Sequence, residues 1–551
     1  MTIKTTGLRA IVAATLLTGG GLLTACSSSA TTSSTPTTAT TSCMPPAGWN
    51  SVVGTKAAGG AAEYNVMSFD GTEIRVHWFP LSTSVGHAVT APTVLMGPGW
   101  GETGSTDTTS GGLFGSLDIA ALWKAGYNVL TWDPRGFGKS GGAAQVDDAS
   151  VEGRDVTRLI SWVAQQKGVE LDGPGNPRMG MVGASYGGGI QFATASQDCR
   201  VDAIAPMIAW HSLTTSLYKN QTVKSGWSNI LTAGAAAAKL NPNITQASTD
   251  EQATGVISPA EAAFFASRGP GALVAKVHQP TLILQGTVDD LFTLQEGVWN
   301  YELLKKAGTT VSMVWFCGGH GSCLTDPGTV IDEGSMSIEW MDRYVKDDAS
   351  AKSLEGFEMV DQAGTTYTAP AYPPAAGSPV SAAGSGGTLS LTADGGSGPA
   401  TASPSRSGAS AIDAVALGVT PAKASNATNV SILFAHEAVV AGAPRLTMTY
   451  SGTSPGGSRP TRVFAQLVDP TTGIVLGNQI TPIPVILDGS THTLSFPLEI
   501  VAFTAATGSH LELQITPTTV AYAVPQLGGS ITMSAIHISL PTATNLTEVH
   551  G

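Results

Sequence analysis

The sequence is poor in charged residues. Asp, Glu, Lys and Arg make up only 12% of the chain, and 40 acidic residues against 27 basic ones give a formal net charge of −13. No run of basic residues occurs. Such a chain presents no cationic surface to a phosphate backbone, so we expect no nucleic-acid binding.

Long apolar runs are also missing, except near the N-terminus. There Lys4 and Arg9 precede the stretch AIVAATLLTGGGLL, which is too short and too glycine-rich for a stable spanning helix and predicts a signal peptide over residues 1–25. The stretch ends in LTAC, which resembles the lipobox of bacterial lipoproteins and implies lipidation of Cys26; a plain secretory cleavage site is the alternative. Residues 26–55, rich in Ser and Thr, predict a disordered tether. We expect an exported protein, either anchored to the cell membrane through Cys26 or secreted.

Cysteine is scarce, and its distribution suits an oxidising compartment. Cys26 aside, an even number is left: Cys43, Cys199, Cys317 and Cys323. A bridge between Cys317 and Cys323 would close a small loop around His320, whereas a metal site there would have only three ligands in a spacing that suits zinc poorly. We predict the bridge, no metal and no cofactor; the pairing of Cys43 with Cys199 is left open.

Strand-like and helix-like segments alternate over residues 56–350. Short apolar runs such as PTVLMG, RMGMVG and PTLILQG are typical of an α/β fold with a mostly parallel sheet covered on both faces. Alternating runs around Asp70 predict a hairpin at the sheet edge. Between residues 213 and 276 the pattern is helical, with Ser258 placed to cap one helix, and predicts a helical cap beside a pocket.

Residues 351–551 have a different sequence pattern. A low-complexity linker is followed by alternating runs such as RLTMTYSG and HLELQITP, separated by Gly, Asp and Pro, without helical periodicity. A chain of 551 residues exceeds one ordinary hydrophobic core, so a second domain is expected. The pattern predicts a C-terminal β-sandwich or jelly roll.

The pattern GxSxG occurs at three serines, and 66 glycines make chance matches easy. Ser454 lies between two predicted strands, and Ser140 lies several residues after its strand ends. Only Ser185 follows a strand directly and precedes a plausible helix, as a strained nucleophile turn requires. Gly183 and Gly187 would there allow close packing of the turn.

A serine nucleophile needs a base and an orienting acid. Asp289 follows the strand LILQG, and His320 follows the next strand, VSMVWF. The order Ser, Asp, His is that of α/β hydrolases. Asp290 is the rival acid, and Asp289 is preferred because it ends a GxxD pattern of these enzymes that begins at Gly286.

These features together resemble the α/β-hydrolase fold, and within it the Xaa-Pro dipeptidyl-peptidase (S15) and cocaine-esterase-like group. The resemblance rests on DPRGFGKSGG at residues 133–142, on the loops of the three predicted catalytic residues and on the appended jelly-roll-like region. It implies that Ser185 attacks a carbonyl, His320 transfers the proton and Asp289 orients the histidine.

The sequence indicates the hydrogen-bond donors to the oxyanion less directly than the three catalytic residues. The backbone N–H of Tyr186 should be one. The second should come from GPGWGETG, where Pro98 stands at the place of a histidine in many relatives and Trp100 at that of a donor tyrosine in cocaine-esterase-like enzymes. The backbone N–H of Trp100 is our candidate, and a role for Trp100 as a pocket wall is the alternative.

Substrate identity is weakly specified. Trp100, Trp210 and Trp227 would suit an apolar acyl group or peptide side chain. His211 is a candidate pocket residue, with a purely structural role as the alternative. The acidic residues near the mouth, Glu102, Asp107 and Asp290, are not diagnostic of a site for an amino terminus.

We therefore expect an exported serine hydrolase acting on a small-molecule ester or amide, or on a peptide. The helical domain that some S15 peptidases carry before the hydrolase is missing, which favours an esterase or amidase over an Xaa-Pro dipeptidyl-peptidase proper. A non-catalytic lipoprotein that binds a surface polymer through its β-domain is the alternative from another class.

Overall fold

A computed structural model describes residues 51–58, 60, 62–82, 89–109, 117–325, 331–354, 356–401, 411–456, 461–523 and 526–549. The predicted signal peptide, Cys26, Cys43 and most of the tether lie outside these residues. All the described residues belong to one compact unit. Among them, no helix has the length and apolarity needed to cross a membrane.

Within the described residues, thirteen strands precede the C-terminal sandwich. They are β1 (Gly54–Lys56), β2 (Glu63–Met67), β3 (Glu73–Phe79), β4 (Thr93–Gly97), β5 (Asn128–Trp132), β6 (Leu171–Gly173), β7 (Asn176–Pro177), β8 (Met179–Ala184), β9 (Ala203–Met207), β10 (Thr281–Gly286), β11 (Val311–Phe316), β12 (Phe357–Val360) and β13 (Thr366–Ala369). Strands β6 and β7 form a separate small hairpin.

The remaining strands are β14 (Val380–Gly384), β15 (Gly387–Ser390), β16 (Thr428–Leu433), β17 (Ala438–Gly442), β18 (Arg445–Thr453), β19 (Thr461–Val468), β20 (Val475–Val485), β21 (His492–Pro497), β22 (Val501–Ala505), β23 (His510–Thr516), β24 (Ser530–Leu540), β25 (Thr542–Ala543) and β26 (Thr547–Val549).

The α-helices are α1 (Ile119–Lys124), α2 (Glu152–Val163), α3 (Tyr186–Ala195), α4 (Leu213–Ser216), α5 (Ser225–Gly234), α6 (Pro242–Thr254), α7 (Pro259–Ala266), α8 (Leu294–Ala307), α9 (Glu333–Tyr344) and α10 (Ala411–Leu417). Two 3₁₀ segments, Lys219–Gln221 and Gly271–Lys276, adjoin the helices α4 to α7.

A twelve-stranded sheet forms the centre of the fold, in the order β1-β2-β3-β5-β4-β8-β9-β10-β11-β12-β13-β26. The strands from β5 to β12 in this order are parallel, and the edges are antiparallel. Strands β4, β5, β8, β9, β10 and β11 are almost entirely buried because helices cover both faces. This confirms the predicted α/β fold, and the pairing of β2 with β3 confirms the hairpin around Asp70.

Four helices, α4 to α7, lie between β9 and β10, in the segment where the sequence predicts a cap. Helix α7 begins with a capping box in which the Ser258 hydroxyl accepts from the Glu261 N–H and the Glu261 carboxylate accepts from the Ser258 N–H. These helices lie on the route from the parallel strand β9 back to its neighbour β10, so they sit beside the strand ends that carry the site.

The C-terminal region is rich in antiparallel strands, as the sequence predicts. Its larger sheets are β14-β24-β18-β21, with β15 on β24, and β16-β23-β19-β20, and a smaller sheet is β22-β17-β25. Their inward side chains form a common apolar core. Three strands beyond residue 350, β12, β13 and β26, instead extend the central sheet. The region also contains α10, which is too short to show helical periodicity in the sequence.

Candidate active site

Ser185 occupies a sharp turn between β8 and α3. Its backbone has φ 55° and ψ −116°, a conformation that a non-glycine residue adopts only under strain. A Cβ at Gly183 would lie 2.7 Å from the carbonyl oxygen of Gly97, and one at Gly187 would collide with the same oxygen. The two glycines therefore let β4, β8 and α3 approach closely enough to hold the strained turn.

Ser185, His320 and Asp289 meet in one line of hydrogen bonds. The Ser185 Oγ lies 2.9 Å from His320 Nε2, and His320 Nδ1 lies 2.8 Å from Asp289 Oδ2. Both distances are those of good hydrogen bonds. The structure thus brings together the three residues that the sequence predicts, although Ser185 and His320 are 135 positions apart.

The structure distinguishes Asp289 from Asp290. Asp289 is fully buried, and its Oδ1 accepts hydrogen bonds from the N–H groups of Leu291 and Phe292 while Oδ2 faces the histidine. The Asp290 carboxylate instead accepts a hydrogen bond from the indole Nε1 of Trp227 at 2.8 Å. Burial, together with the charge of Asp289, raises the pKa of Asp290 to about 7. Asp289, and not Asp290, is therefore the carboxylate that is hydrogen-bonded to His320.

His320 lies in a short loop after β11 that a disulfide closes. Cys317 and Cys323 are bonded to each other, as predicted, so their sulfurs are not available as metal ligands. Cys199 is also disulfide-bonded. Gly319 has φ 115°, and a Cβ there would lie 2.6 Å from the Asp289 Cβ. The absence of a side chain at Gly319 therefore lets the histidine loop pack directly against the loop that carries Asp289. The rings of Trp227 and Phe292 pack edge-on against the imidazole.

The other GxSxG serines have different surroundings. The Ser140 Oγ is buried, donates to the Asp133 carbonyl and accepts from the Arg75 N–H, so it fixes the loop after β5. Ser454 follows the end of β18, and its N–H donates to the Leu487 carbonyl within the sandwich region. Neither serine has a histidine among its described hydrogen-bond partners.

The predicted oxyanion groups lie on two adjacent segments. Tyr186 begins α3, and Trp100 lies in the loop after β4, with the two rings 5.2 Å apart. Within the described part of the chain, neither backbone N–H has an acceptor. The Trp100 indole donates to the Leu231 carbonyl in the cap, and its ring also lines a cavity. Glu102 accepts from the Gly99 N–H and so shapes this loop.

An apolar cavity of about 120 Å³ opens beside Ser185 under the cap. Trp100, Trp210 and Phe292 form part of its wall, and cap residues such as Leu231 and Ile244 form another part. Glu251 is the one carboxyl among the described residues that line it. Burial raises the pKa of Glu251 to about 7, and its Oε1 has no hydrogen-bond partner.

Two predicted pocket residues do not line this cavity. Trp227 instead packs against His320, with its Nε1 committed to Asp290. The His211 Nδ1 lies 2.8 Å from the Asn300 Oδ1, and the His211 ring packs near Trp299, contacts that favour the structural alternative for His211. Of the acids proposed near the mouth, Asp290 is buried against Trp227.

A buried acidic group behind the nucleophile turn was missed by the sequence analysis. The Tyr186 hydroxyl donates to Glu152 at 2.9 Å, and the fully buried Asp147 carboxylate lies nearby without a hydrogen-bond partner. Burial raises the pKa of Glu152 to about 7 and that of Asp147 well above its usual value. A carboxyl group that holds its proton can be buried at lower cost than an anion.

Contacts from the C-terminal sandwich were also missed. The Gln479 side chain donates to the Asp289 carbonyl at 2.9 Å, and the Asn478 side chain donates to the Ser322 carbonyl at 2.9 Å. Glu499 accepts from the Thr293 hydroxyl and pairs with Lys219 of the cap. No local sequence signal marks these residues, because their partners lie more than 150 positions away. No group of three His, Cys, Asp or Glu side chains among the described residues could hold a metal ion.

Comparison with known proteins finds a matching family profile for part of the chain and solved structures of the same fold. Residues 70–322 match the family profile described as X-Pro dipeptidyl-peptidase (S15 family). A segment of 90 residues is 34% identical to the "Uncharacterized 31.7 kDa protein in traX-finO intergenic region" of Escherichia coli, covering 16% of this chain and 30% of that protein. The chain therefore spans less than a third of the length of that relative.

Solved structures resemble most of the chain. A CocE/NonD family hydrolase from Staphylococcus aureus is 13% identical with a TM-score of 0.57, covering 90% of this chain and 96% of its own. An aminopeptidase from a marine sediment Thaumarchaeota archaeon is 13% identical with a TM-score of 0.60, covering 92% and 98%. An α-amino acid ester hydrolase is 14% identical with a TM-score of 0.63, covering 92% and 100%. The chain thus has the α/β-hydrolase fold, and its residues 70–322 match the S15 family profile.

Proposed function

We propose that this protein cleaves ester or amide bonds through an acyl-enzyme formed on Ser185. The Ser185 Oγ attacks the substrate carbonyl carbon while His320 Nε2 takes its proton. The tetrahedral oxyanion accepts from the N–H groups of Tyr186 and Trp100. Collapse breaks the bond to the leaving group, which receives the proton from His320. Water activated by His320 then hydrolyses the acyl-enzyme.

The observation that carries this proposal is the continuous line from Ser185 Oγ through His320 to Asp289, at 2.9 and 2.8 Å. Asp289 accepts from His320 Nδ1, which leaves Nε2 with a free lone pair for the serine proton, and it stabilises the imidazolium that forms. The strained turn supports the same role, because it holds Oγ at the end of the sheet beside the cavity.

The cavity favours a compact, apolar acyl group. Its volume of about 120 Å³ compares with the roughly 150 Å³ of an apolar cavity that accepts benzene. Its wall is made chiefly of apolar and aromatic side chains. Esters or amides of short branched or aromatic acids are therefore the substrate class that we propose.

Glu251 supports a second candidate, cleavage of peptides or amino-acid derivatives with a free amino group. Its Oε1 lies unpartnered in the cavity wall, and a substrate ammonium ion would supply the missing hydrogen-bond donor and the counter-charge. The X-Pro dipeptidyl-peptidase activity named for the matched family belongs to this second class.

The mechanism is tested by labelling with a fluorophosphonate probe, which reacts with activated serines. Wild type should label and Ser185→Ala should not, whereas Ser140→Ala, the matched GxSxG control, should label normally. Equal labelling of wild type and Ser185→Ala would refute the mechanism. A panel of short aryl esters against Xaa-Pro amides then separates the two substrate classes, and a clear preference for the amides would favour the second candidate.

We further propose that the protein is exported and anchored through a lipid on Cys26. The support is the sequence of residues 1–26, with its basic start, apolar stretch and lipobox-like end. In the native host, wild type should partition with the membrane fraction and carry a lipid mass on the mature N-terminal cysteine. Cys26→Ser should be released, and membrane-bound Cys26→Ser would refute the anchor.

A further inference from the structure

Strand β20 contains a β-bulge where it pairs with β19. Val475 opposes Val468 on β19, while Ile480 opposes Gln466, so four residues of β20 face a single residue of β19. Bulges of this kind re-aim side chains and occur next to active sites. Two consecutive residues in the bulge, Gly477 and Asn478, have φ values of 61° and 56°. Only glycine and a few residues such as asparagine adopt that region readily.

The bulge presents two buried amide side chains to the catalytic loops. Asn478 and Gln479 are 1% and 6% exposed. The Asn478 Nδ2 donates to the Ser322 carbonyl, two residues after His320, and lies 3.5 Å from the Val288 carbonyl, one residue before Asp289. The Asn478 amide therefore bridges the two loops.

Gln479 completes the contact. Its Nε2 donates to the Asp289 carbonyl at 2.9 Å. It also donates to the Gly477 carbonyl, within the bulge itself, at 2.8 Å. The Asp289 side chain must hold His320 while its backbone stays fixed, and Gln479 is the side chain that fixes that carbonyl. A displacement of about 1 Å in such a pair can reduce turnover about 100-fold.

We propose that Asn478 and Gln479 of the β-sandwich are positioning residues for the Asp289–His320 pair. They act through the backbones of the acid and histidine loops and do not touch substrate. The sandwich is on this account a component of the active site, beyond its role in covering the hydrolase core. The inference rests on the proposed function of Ser185, His320 and Asp289.

The test uses the full chain with Asn478→Asp and Gln479→Glu. Each substitution replaces the donating NH₂ group of the amide by a carboxylate oxygen and keeps the shape of the side chain, so that an acceptor then faces a backbone carbonyl. We expect kcat for an aryl ester to fall about 10- to 100-fold while KM stays within about twofold. Gln514→Glu is the matched control, because Gln514 is a fully buried sandwich amide whose Nε2 donates to the Ala424 carbonyl and to Asn429, away from the catalytic loops.

A second pair of variants covers the case in which these isosteric changes prevent folding. Asn478→Gly removes the amide but accepts the left-handed backbone, and Gln479→Ala removes the second amide. These variants, with circular dichroism to establish folding, should show the same loss of kcat. Folded variants with kcat within about twofold of wild type would overturn the inference. The inference would also be overturned if the Asn478 and Gln479 variants lost no more kcat than a Gln514→Glu protein whose melting temperature falls by the same amount. Failure of the proposed function is recognised separately, by turnover that survives in Ser185→Ala.

Discussion

At the scale of single residues, two adjacent carboxyl groups have distinct surroundings. Asp289 faces the His320 Nδ1, while Asp290 is bonded to the Trp227 indole and has a pKa raised to about 7 by burial. In the proposed mechanism the Asp289 carboxylate stabilises the imidazolium. The Asp290 carboxyl, with a pKa of about 7, is partly protonated at neutral pH, so an amide there changes its charge and shape less. The two positions should therefore respond very differently to the same substitution.

We expect Asp289→Asn to lower kcat by about 10³- to 10⁴-fold, because the amide stabilises neither the required tautomer nor the cation. Asp290→Asn keeps an acceptor for Trp227 and should lower kcat less than tenfold. Steady-state turnover of an aryl ester measures both. Similar losses in the two variants, or a larger loss in Asp290→Asn, would contradict the assignment of the acid.

Glu251 predicts a pH dependence of substrate binding. Its pKa of about 7 means that the carboxyl is neutral below that pH and ionised above it. An anion in the cavity wall disfavours an apolar acyl group, so KM for a neutral aryl ester should rise as the pH increases through 7. In Glu251→Gln this rise should disappear.

Asp250→Asn is the control for that pH profile, since Asp250 lies on the same helix, bonds to Gln246 and is not part of the cavity wall. An unchanged KM profile in Glu251→Gln would exclude Glu251 as its origin. Esters with a free amine provide the opposite expectation, because their KM should fall as Glu251 becomes charged.

At the scale of elements, the disulfide loop after β11 holds the histidine. The bridge between Cys317 and Cys323 closes a seven-residue segment with His320 at its centre. Removing such a loop constraint costs about 2 kcal/mol on a chain-entropy estimate. The double variant Cys317→Ser, Cys323→Ser should melt at a lower temperature and label more slowly with a fluorophosphonate, because His320 samples more positions.

Mass mapping of non-reduced peptides provides the direct measurement of that bridge. Free thiols at both positions would show that the bridge does not form. A double variant that labels at the wild-type rate would show that packing alone holds the histidine loop. Trp227 and Phe292 are the packing partners that would have to do so.

The elements around the catalytic residues could be predicted because their signals are local. The strand, turn and helix around Ser185 are contiguous in sequence, and Asp289 and His320 follow directly after β10 and β11. The ends of parallel strands meet at one edge of a sheet, so the order of these loops in the chain was enough to predict their meeting. The cap was likewise visible as a change from strand to helix pattern.

Other features depend on packing between distant segments and have no such signal. His211 follows a strand beneath the cap, yet the Asn300 side chain on α8 holds it outside the cavity. Gln479 lies 190 positions from Asp289, and its sequence neighbourhood looks like ordinary strand. Asp147 and Glu152 can be recognised only once the structure shows that both are buried and that the Asp147 carboxyl has no hydrogen-bond partner among the described residues.

At the scale of the whole molecule, the central sheet is built from chain on both sides of residue 350. Strand β11 pairs with β12, β12 with β13, and β13 with β26 close to the C-terminus. Trp315 of β11 is fully buried and packs against the rings of Phe357 and Tyr372, both beyond residue 350. The central sheet is thus completed by chain that comes after the predicted domain boundary.

A fragment of residues 51–350 should therefore fail to fold. It would leave β11, all of whose residues are buried in the full chain, as an exposed apolar edge strand, which favours aggregation. It would also lose the Gln479 contact to the acid loop. We expect the fragment to show no cooperative melting by circular dichroism and no fluorophosphonate labelling, whereas residues 51–551 show both. A soluble fragment that labels at Ser185 at the full-length rate would show that the hydrolase is self-sufficient, because neither the shared sheet nor the sandwich amides would then be needed to assemble the site.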